Sequence, residues 1–203
     1  LFISTPTATR APESFVTDAQ TLENEGKISQ AIEAYKQAIL ADSMNTGNYI
    51  SLARLLIYLN RYDEALEQAS NALLINENNA MAYALRGWAQ GLSGDYLNGT
   101  ASLKRAIELD PNNHIPYAYI AEVYGLQYES NTAIIGVIDN AISNSIKARD
   151  LSPNSLETHR ARGYIQELVG SYGEAVQEYA AAIAINKYIP ELYMRLGRVY
   201  YYP

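Results

Sequence analysis

The chain has no cysteine, one tryptophan, two phenylalanines and two histidines among its 203 residues. Without cysteine there is no disulfide, no zinc–thiolate site and no cysteine nucleophile, although that absence does not decide the compartment. No run of 18 or more apolar residues occurs, so the sequence offers no helix able to cross a bilayer. Positive charge is scarce: 15 Lys and Arg stand against 22 Asp and Glu, a net charge of −7. That balance argues against a phosphate-binding surface and against nucleic acid as a partner. No segment alternates apolar and polar residues over a useful length, so no sheet is expected.

What the sequence does have is a repeated phrase. "GKISQAIEAYKQAILADSMN" (26–45), "NRYDEALEQASNALLINENN" (60–79) and "GDYLNGTASLKRAIELDPNN" (94–113) start 34 residues apart, and related phrases follow at 136–155 and 170–189. Each phrase is the second half of a unit, giving units 12–45, 46–79, 80–113, 114–155 and 156–189, with a terminal helix over 190–202. Ile28, Ala31, Ile32, Tyr35, Ala38 and Ile39 recur at steps of three and four, one face of an α-helix. Gly26, Asn60, Gly94, Gly136 and Gly170 mark the turn inside each unit, where a left-handed residue closes a helix. The eighth, twentieth and twenty-seventh positions of the units hold only Ala or Gly, in sixteen slots out of sixteen. Small residues at fixed intervals let helices approach closely while larger neighbours fill the gaps.

This pattern resembles the tetratricopeptide repeat (TPR), a 34-residue helix–turn–helix unit, over residues 12–202. Aromatic residues fill its large positions at Phe15, Tyr35, Tyr49, Tyr62, Tyr83, Tyr96, Tyr117, Tyr172 and Tyr179. His159 replaces an aromatic, and Ser43, Glu77 and Lys187 replace the terminal proline. The resemblance implies an all-α fold, a right-handed superhelical α-solenoid of tandem helix–turn–helix repeats with the first helices lining its concave side. The fourth unit carries eight extra residues around "LQYESNTAIIG"; the expectation is a lengthened second helix capped by Ser130 or Asn131, the alternative a plain loop. Residues 1–11, rich in Thr and Pro, read as a linker or frayed end. If "LFIS" is the tail of a membrane anchor, the rest lies outside the cytoplasm.

Chemistry is thinly supplied. His114 reads as a helix-start residue and His159 as a packing residue; no metal spacing, phosphate loop or nucleophile elbow is present, so no cofactor, no metal and no catalysis are expected. Glu64, Glu67, Glu174 and Glu178 read as solvated, and "NGT" at 98–100 as a chance glycosylation match. The resemblance instead implies a scaffold that binds a protein or peptide segment in a concave groove. Carried over, the groove positions are Ile50, Arg54, Ile57, Tyr58, Met81, Trp88, Leu92, Ile115, Glu122, Leu126, Arg160, Tyr164 and Leu168. Trp88 is the expected anchor; the alternative is that it packs against the neighbouring unit. The slots at which some TPR proteins hold a carboxyl-terminal peptide with Lys and Asn contain Val16, Gln20, Ser51, Met81 and Leu85 here, so no such clamp is expected. Alternative roles are self-association through the tyrosine-rich end at Tyr200, Tyr201 and Tyr202, or service as an accessory array of a larger enzyme or sensor.

Overall fold

Each unit folds back on itself because its breaks fall where the backbone must reverse. Asn45, Asn79, Asn113 and Ser155, the last residues of four units, cap the next helix, each side chain accepting a backbone N–H at 3.0–3.2 Å. Inside the units the chain turns at Gly26, Asn60, Gly94, Gly136 and Gly170, all at φ between 58° and 92°. In that left-handed region only glycine, and at some cost asparagine, is comfortable. A computed structural model describes residues 10–131 and 134–201. The described residues form eleven helices and no strand. The pairs are α1 (Pro12–Asn24) with α2 (Ile28–Ala41), α3 (Thr46–Tyr58) with α4 (Tyr62–Ile75), and α5 (Ala80–Leu92) with α6 (Tyr96–Leu109). They continue as α7 (His114–Ser130) with α8 (Val137–Leu151) and α9 (Leu156–Leu168) with α10 (Tyr172–Ile185), before the single α11 (Pro190–Tyr201).

The helices stack into a right-handed solenoid. The first helices α3, α5, α7 and α9 touch one another in succession along the inner face, while each second helix packs on its own partner and on the next first helix. The small slots make this possible: fifteen of the sixteen are buried, as a packing role requires. At the tightest crossing a Cβ on Gly87 would lie 2.6 Å from the carbonyl oxygen of Gly99, so backbone meets backbone there. The exception is Gly197 on α11, where a Cβ would meet nothing within 4 Å. The spiral is tight enough that the ring of Tyr188, before α11, lies against Gly26 in the first turn.

The extra residues of the fourth unit do not lengthen the second helix as expected. Ser130 is the last residue of α7 and Asn131 its C-cap, so neither starts a helix. Half of the insertion extends α7 to 17 residues against 13 in α3, α5 and α9; most of the rest lengthens the connection. Leu126 continues α7's packing against the core, and Gly136, with a φ of 79°, sets the start of α8. The Thr/Pro-rich opening up to residue 9, including the anchor expectation, and Tyr202 lie outside the described residues.

Candidate functional site on the inner face of the solenoid

The inner face is built by one turn-spaced stripe from each first helix, and the structure places all thirteen expected groove residues on these helices. They divide into two groups. Ile57, Trp88, Glu122, Arg160 and Tyr164 are buried and form the floor. Ile50, Arg54, Tyr58, Met81, Leu92, Ile115, Leu126 and Leu168 are half-buried and form the rim.

Trp88 corrects the expectation of an open anchor, because it is only 2% exposed. Its indole stacks on Tyr119, with ring centroids 4.2 Å apart and planes 10° from parallel, and Tyr58 meets it edge-on at 6.2 Å. The guanidinium of Arg160 lies 4.1 Å from the centre of the Trp88 ring and 5.5 Å from that of Tyr119. The neighbouring units thus fill the place a ligand would take, and the aromatic and cation–π contacts serve the fold.

Below that stack runs a polar chain. Trp88 Nε1 donates to Glu122 Oε2 at 2.8 Å, and Arg160 Nε donates to Glu122 Oε1 at 2.8 Å. Burial pushes the Glu122 carboxyl above its usual range, a shift that the Arg160 charge offsets only in part. Burial works against the Arg160 charge too, but Glu122 and the tyrosines Tyr58 and Tyr119 hold it above its ordinary value. Arg54 pairs with Glu23 at 2.9 Å, and His114 Nε2 lies 3.9 Å from Glu157. Burial would raise Glu157, but the nearby His114 and the charge of Arg160 bring it below the usual carboxylate range.

Further along the face Tyr164 donates to Glu129, and Arg198 pairs with Glu167. Arg195 Nε donates to Glu191 at 2.8 Å, with its guanidinium 4.1 Å over the Tyr164 ring. Glu157, Glu191 and Arg198 sit at the second, second and ninth positions of their helices, so the slot rule that found Glu122 also reaches them. Tyr119 and Arg195 both occupy the sixth position, off that stripe. Glu129 lies on the extra turn of α7, which belongs to no repeat and has no counterpart to point it out.

Of the outward acids, Glu64, Glu67 and Glu174 are exposed. Glu178 is not: it accepts from Arg162 Nε at 2.6 Å and meets His159 Nδ1 at 2.6 Å, which ties His159 to a packing role. Asn98 of the "NGT" match sits in the first turn of α6, its amide bonded to Asp95 at 2.7 Å. Among the described residues no group of three or more His, Asp and Glu side chains could hold a metal ion. No described helix is long and apolar enough to cross a membrane. The inner face therefore presents paired charges, aromatic rings and half-buried aliphatic side chains.

Tetratricopeptide-repeat family models match residues 24–89 and 80–113. A TPR repeat-containing protein of Methanocaldococcus jannaschii is 31% identical over 103 residues, 51% of this chain and 18% of that protein. A small glutamine-rich tetratricopeptide repeat-containing protein of Dictyostelium discoideum is 31% identical over 108 residues, 53% of this chain and 32% of that protein. The chain thus spans less than a third of the length of either relative. Among solved structures, a thermophilic TPR protein of Thermus thermophilus superposes with a TM-score of 0.72 at 18% identity, covering 93% of this chain and 98% of that one. At such identity the likeness shows the fold alone.

Proposed function

Since the chain belongs to the tetratricopeptide-repeat family, we propose that it is a non-enzymatic interaction scaffold that takes a peptide or protein segment along its concave face. The observation that carries this reading is the continuity of the rim. Ile50, Tyr58, Met81, Leu92, Ile115, Leu126 and Leu168 offer partly exposed apolar surface from four successive first helices, with Arg54 among them. The buried floor beneath them keeps that rim rigid, which limits the ordering cost of binding. The chain has no Lys/Asn clamp at the expected slots, so the proposed segment is held by its side chains and not by a terminal carboxyl group.

The test is site-specific photo-crosslinking of the partner once it is identified. A crosslinker at Met81 or Leu92 should capture it, and one at Leu97 on the outer face, 81% exposed, should not. Capture from Leu97 alone would move the site to the convex side.

A second reading rests on α11. Tyr193, Met194, Tyr200 and Tyr201 are 48%, 66%, 66% and 78% exposed around the uncovered Gly197, an apolar face suited to self-association. Light scattering at high concentration separates the two, because a strict monomer removes the self-association reading and leaves the first intact. The relatives' greater length also favours service as one array of a larger protein.

A further inference from the structure

The first and fifth units meet at one side chain. The ring of Tyr188, in the connection after α10, lies directly against Gly26 in the α1–α2 turn: a Cβ on Gly26 would fall 2.5 and 2.7 Å from Cε1 and Cγ of the ring. Gly94, Gly136 and Gly170 hold the same left-handed turn in other units, and a Cβ on any of them would meet nothing within 4 Å. Among these four turns only Gly26 needs glycine for space as well as for its φ. Tyr188 is set from its own side, for its N–H donates to Asn186 Oδ1 at 2.9 Å and the next residue, Ile189, is buried in the core.

The contact stands apart from the rest of the packing. Neither α10 nor α11 forms a packed helix interface with any of α1 to α4. Around Tyr188 the two units face each other across a cleft of about 380 Å³, lined by Glu23 and Asn24 on one side and by residues 184–188 on the other. The inner face, meanwhile, has drawn shut at one point. There α5, α7, α9 and α11 converge, through Leu92, Leu126, Tyr164 and Arg195 among others, on a notch of about 10 Å³. A space of that size holds one water and no side chain. In a solenoid each unit contacts only its neighbours, and curvature follows from the small rotation at each interface. Those rotations add up over the array, so a single contact between distant units selects how tightly the whole spiral closes.

We infer that Tyr188 and Gly26 form a clasp that holds the array in a closed form, and that the inner face admits a partner segment only when the clasp opens. The inference rests on the scaffold reading for what the opening serves; the clasp itself does not depend on it. A closed form that excludes the segment lowers its apparent affinity by the fraction of molecules that are open.

Because the chain has no cysteine, introduced ones can be labelled cleanly. Asn24→Cys and Lys187→Cys, both exposed positions on the cleft, carry spin labels for pulsed electron paramagnetic resonance on the full chain. The otherwise native chain should give a short, narrow distance distribution. Tyr188→Ala and Gly26→Ala should each lengthen and broaden it. Tyr188→Phe, which keeps the ring, and Gly170→Ala, which strains a turn of φ 78° against 75° at Gly26 but meets no ring, should leave it unchanged. A distribution that neither Tyr188→Ala nor Gly26→Ala alters, or that Gly170→Ala alters equally, overturns the clasp. The second measurement is the rate at which a maleimide dye labels Leu92→Cys at the notch, with Leu97→Cys on the outer face as control. If the open form is about 10% populated in the native chain, Tyr188→Ala should speed labelling at residue 92 about tenfold and leave residue 97 unchanged. A longer distance without faster labelling at residue 92, or equal acceleration at both positions, overturns the gate and leaves the scaffold reading standing.

Discussion

Trp88 and Glu122 hold the ninth position of consecutive repeats, 34 residues apart, and the indole N–H of one is bonded to the carboxylate of the other at 2.8 Å. A sequence period has become a physical bond between neighbouring units. Arg160 joins the pair from the next unit, so three successive first helices share one buried centre. In a solenoid whose stability comes from nearest-neighbour interfaces, such a centre couples units that would otherwise open separately.

Glu122→Ala strips Arg160 of its buried partner. Removing one member of a buried pair leaves the other charge uncompensated and costs about 3–5 kcal/mol. Urea unfolding should show a loss of that order, with a broader or stepped transition as the units uncouple. An unchanged midpoint would mean that the centre contributes no coupling.

Trp88→Ala should likewise be read as a core substitution. It removes a large buried ring stacked on Tyr119, at a cost of about 3–5 kcal/mol. The effect appears in the unfolding midpoint even where no partner is present.

Glycines at two places should respond in opposite directions. Gly87→Ala puts a Cβ against the Gly99 backbone and should cost about 1–3 kcal/mol by overpacking. Gly173→Ala, on the exposed side of α10 with nothing within 4 Å of the new Cβ, should gain about 0.5–1 kcal/mol from helix propensity. Thermal unfolding of the two variants checks both signs.

Glu129 ties the extra turn of α7 to α9 through Tyr164 and reaches Arg198 on α11 at 3.8 Å. Glu129→Ala should lower amide-exchange protection in α11 while leaving α3 to α6 unchanged, since terminal units open locally. Equal loss across the chain would contradict this assignment.

Acid should expose the role of Glu157. Its folded pKa lies below the unfolded value, so its contribution is present above the unfolded carboxyl pKa of about 4.3 and is lost as pH falls through the lower, folded one. Tm of the wild type should therefore exceed that of Glu157→Gln at pH 7, and the gap should narrow as pH falls below the unfolded carboxyl pKa.

Much of this architecture was legible in the sequence because the repeat is a packing rule written in residue size. Ala31, Ala65, Gly99, Ala141 and Ala175 announce a close helix crossing, and Gly26, Asn60, Gly94, Gly136 and Gly170 announce the turns. The period failed where the chain departs from it. The extra turn of α7 has no counterpart in other units, so the period assigns it no phase, and it extends the first helix where the second was expected to lengthen. Trp88 lies on a first helix, as the period implies, but its depth does not follow from the period. Its burial depends on Tyr119, at the sixth position, and on Arg160, from a unit farther along; curvature brings them over the ring, and a 34-residue ruler carries no curvature.

The most direct test of the filled inner face is acrylamide quenching of Trp88, the single tryptophan. The native chain should show blue-shifted emission and weak quenching, with both changing together across the urea transition. Emission and quenching in the native chain equal to those of the unfolded chain would contradict it, for the indole would then stand open to solvent and not beneath Arg160.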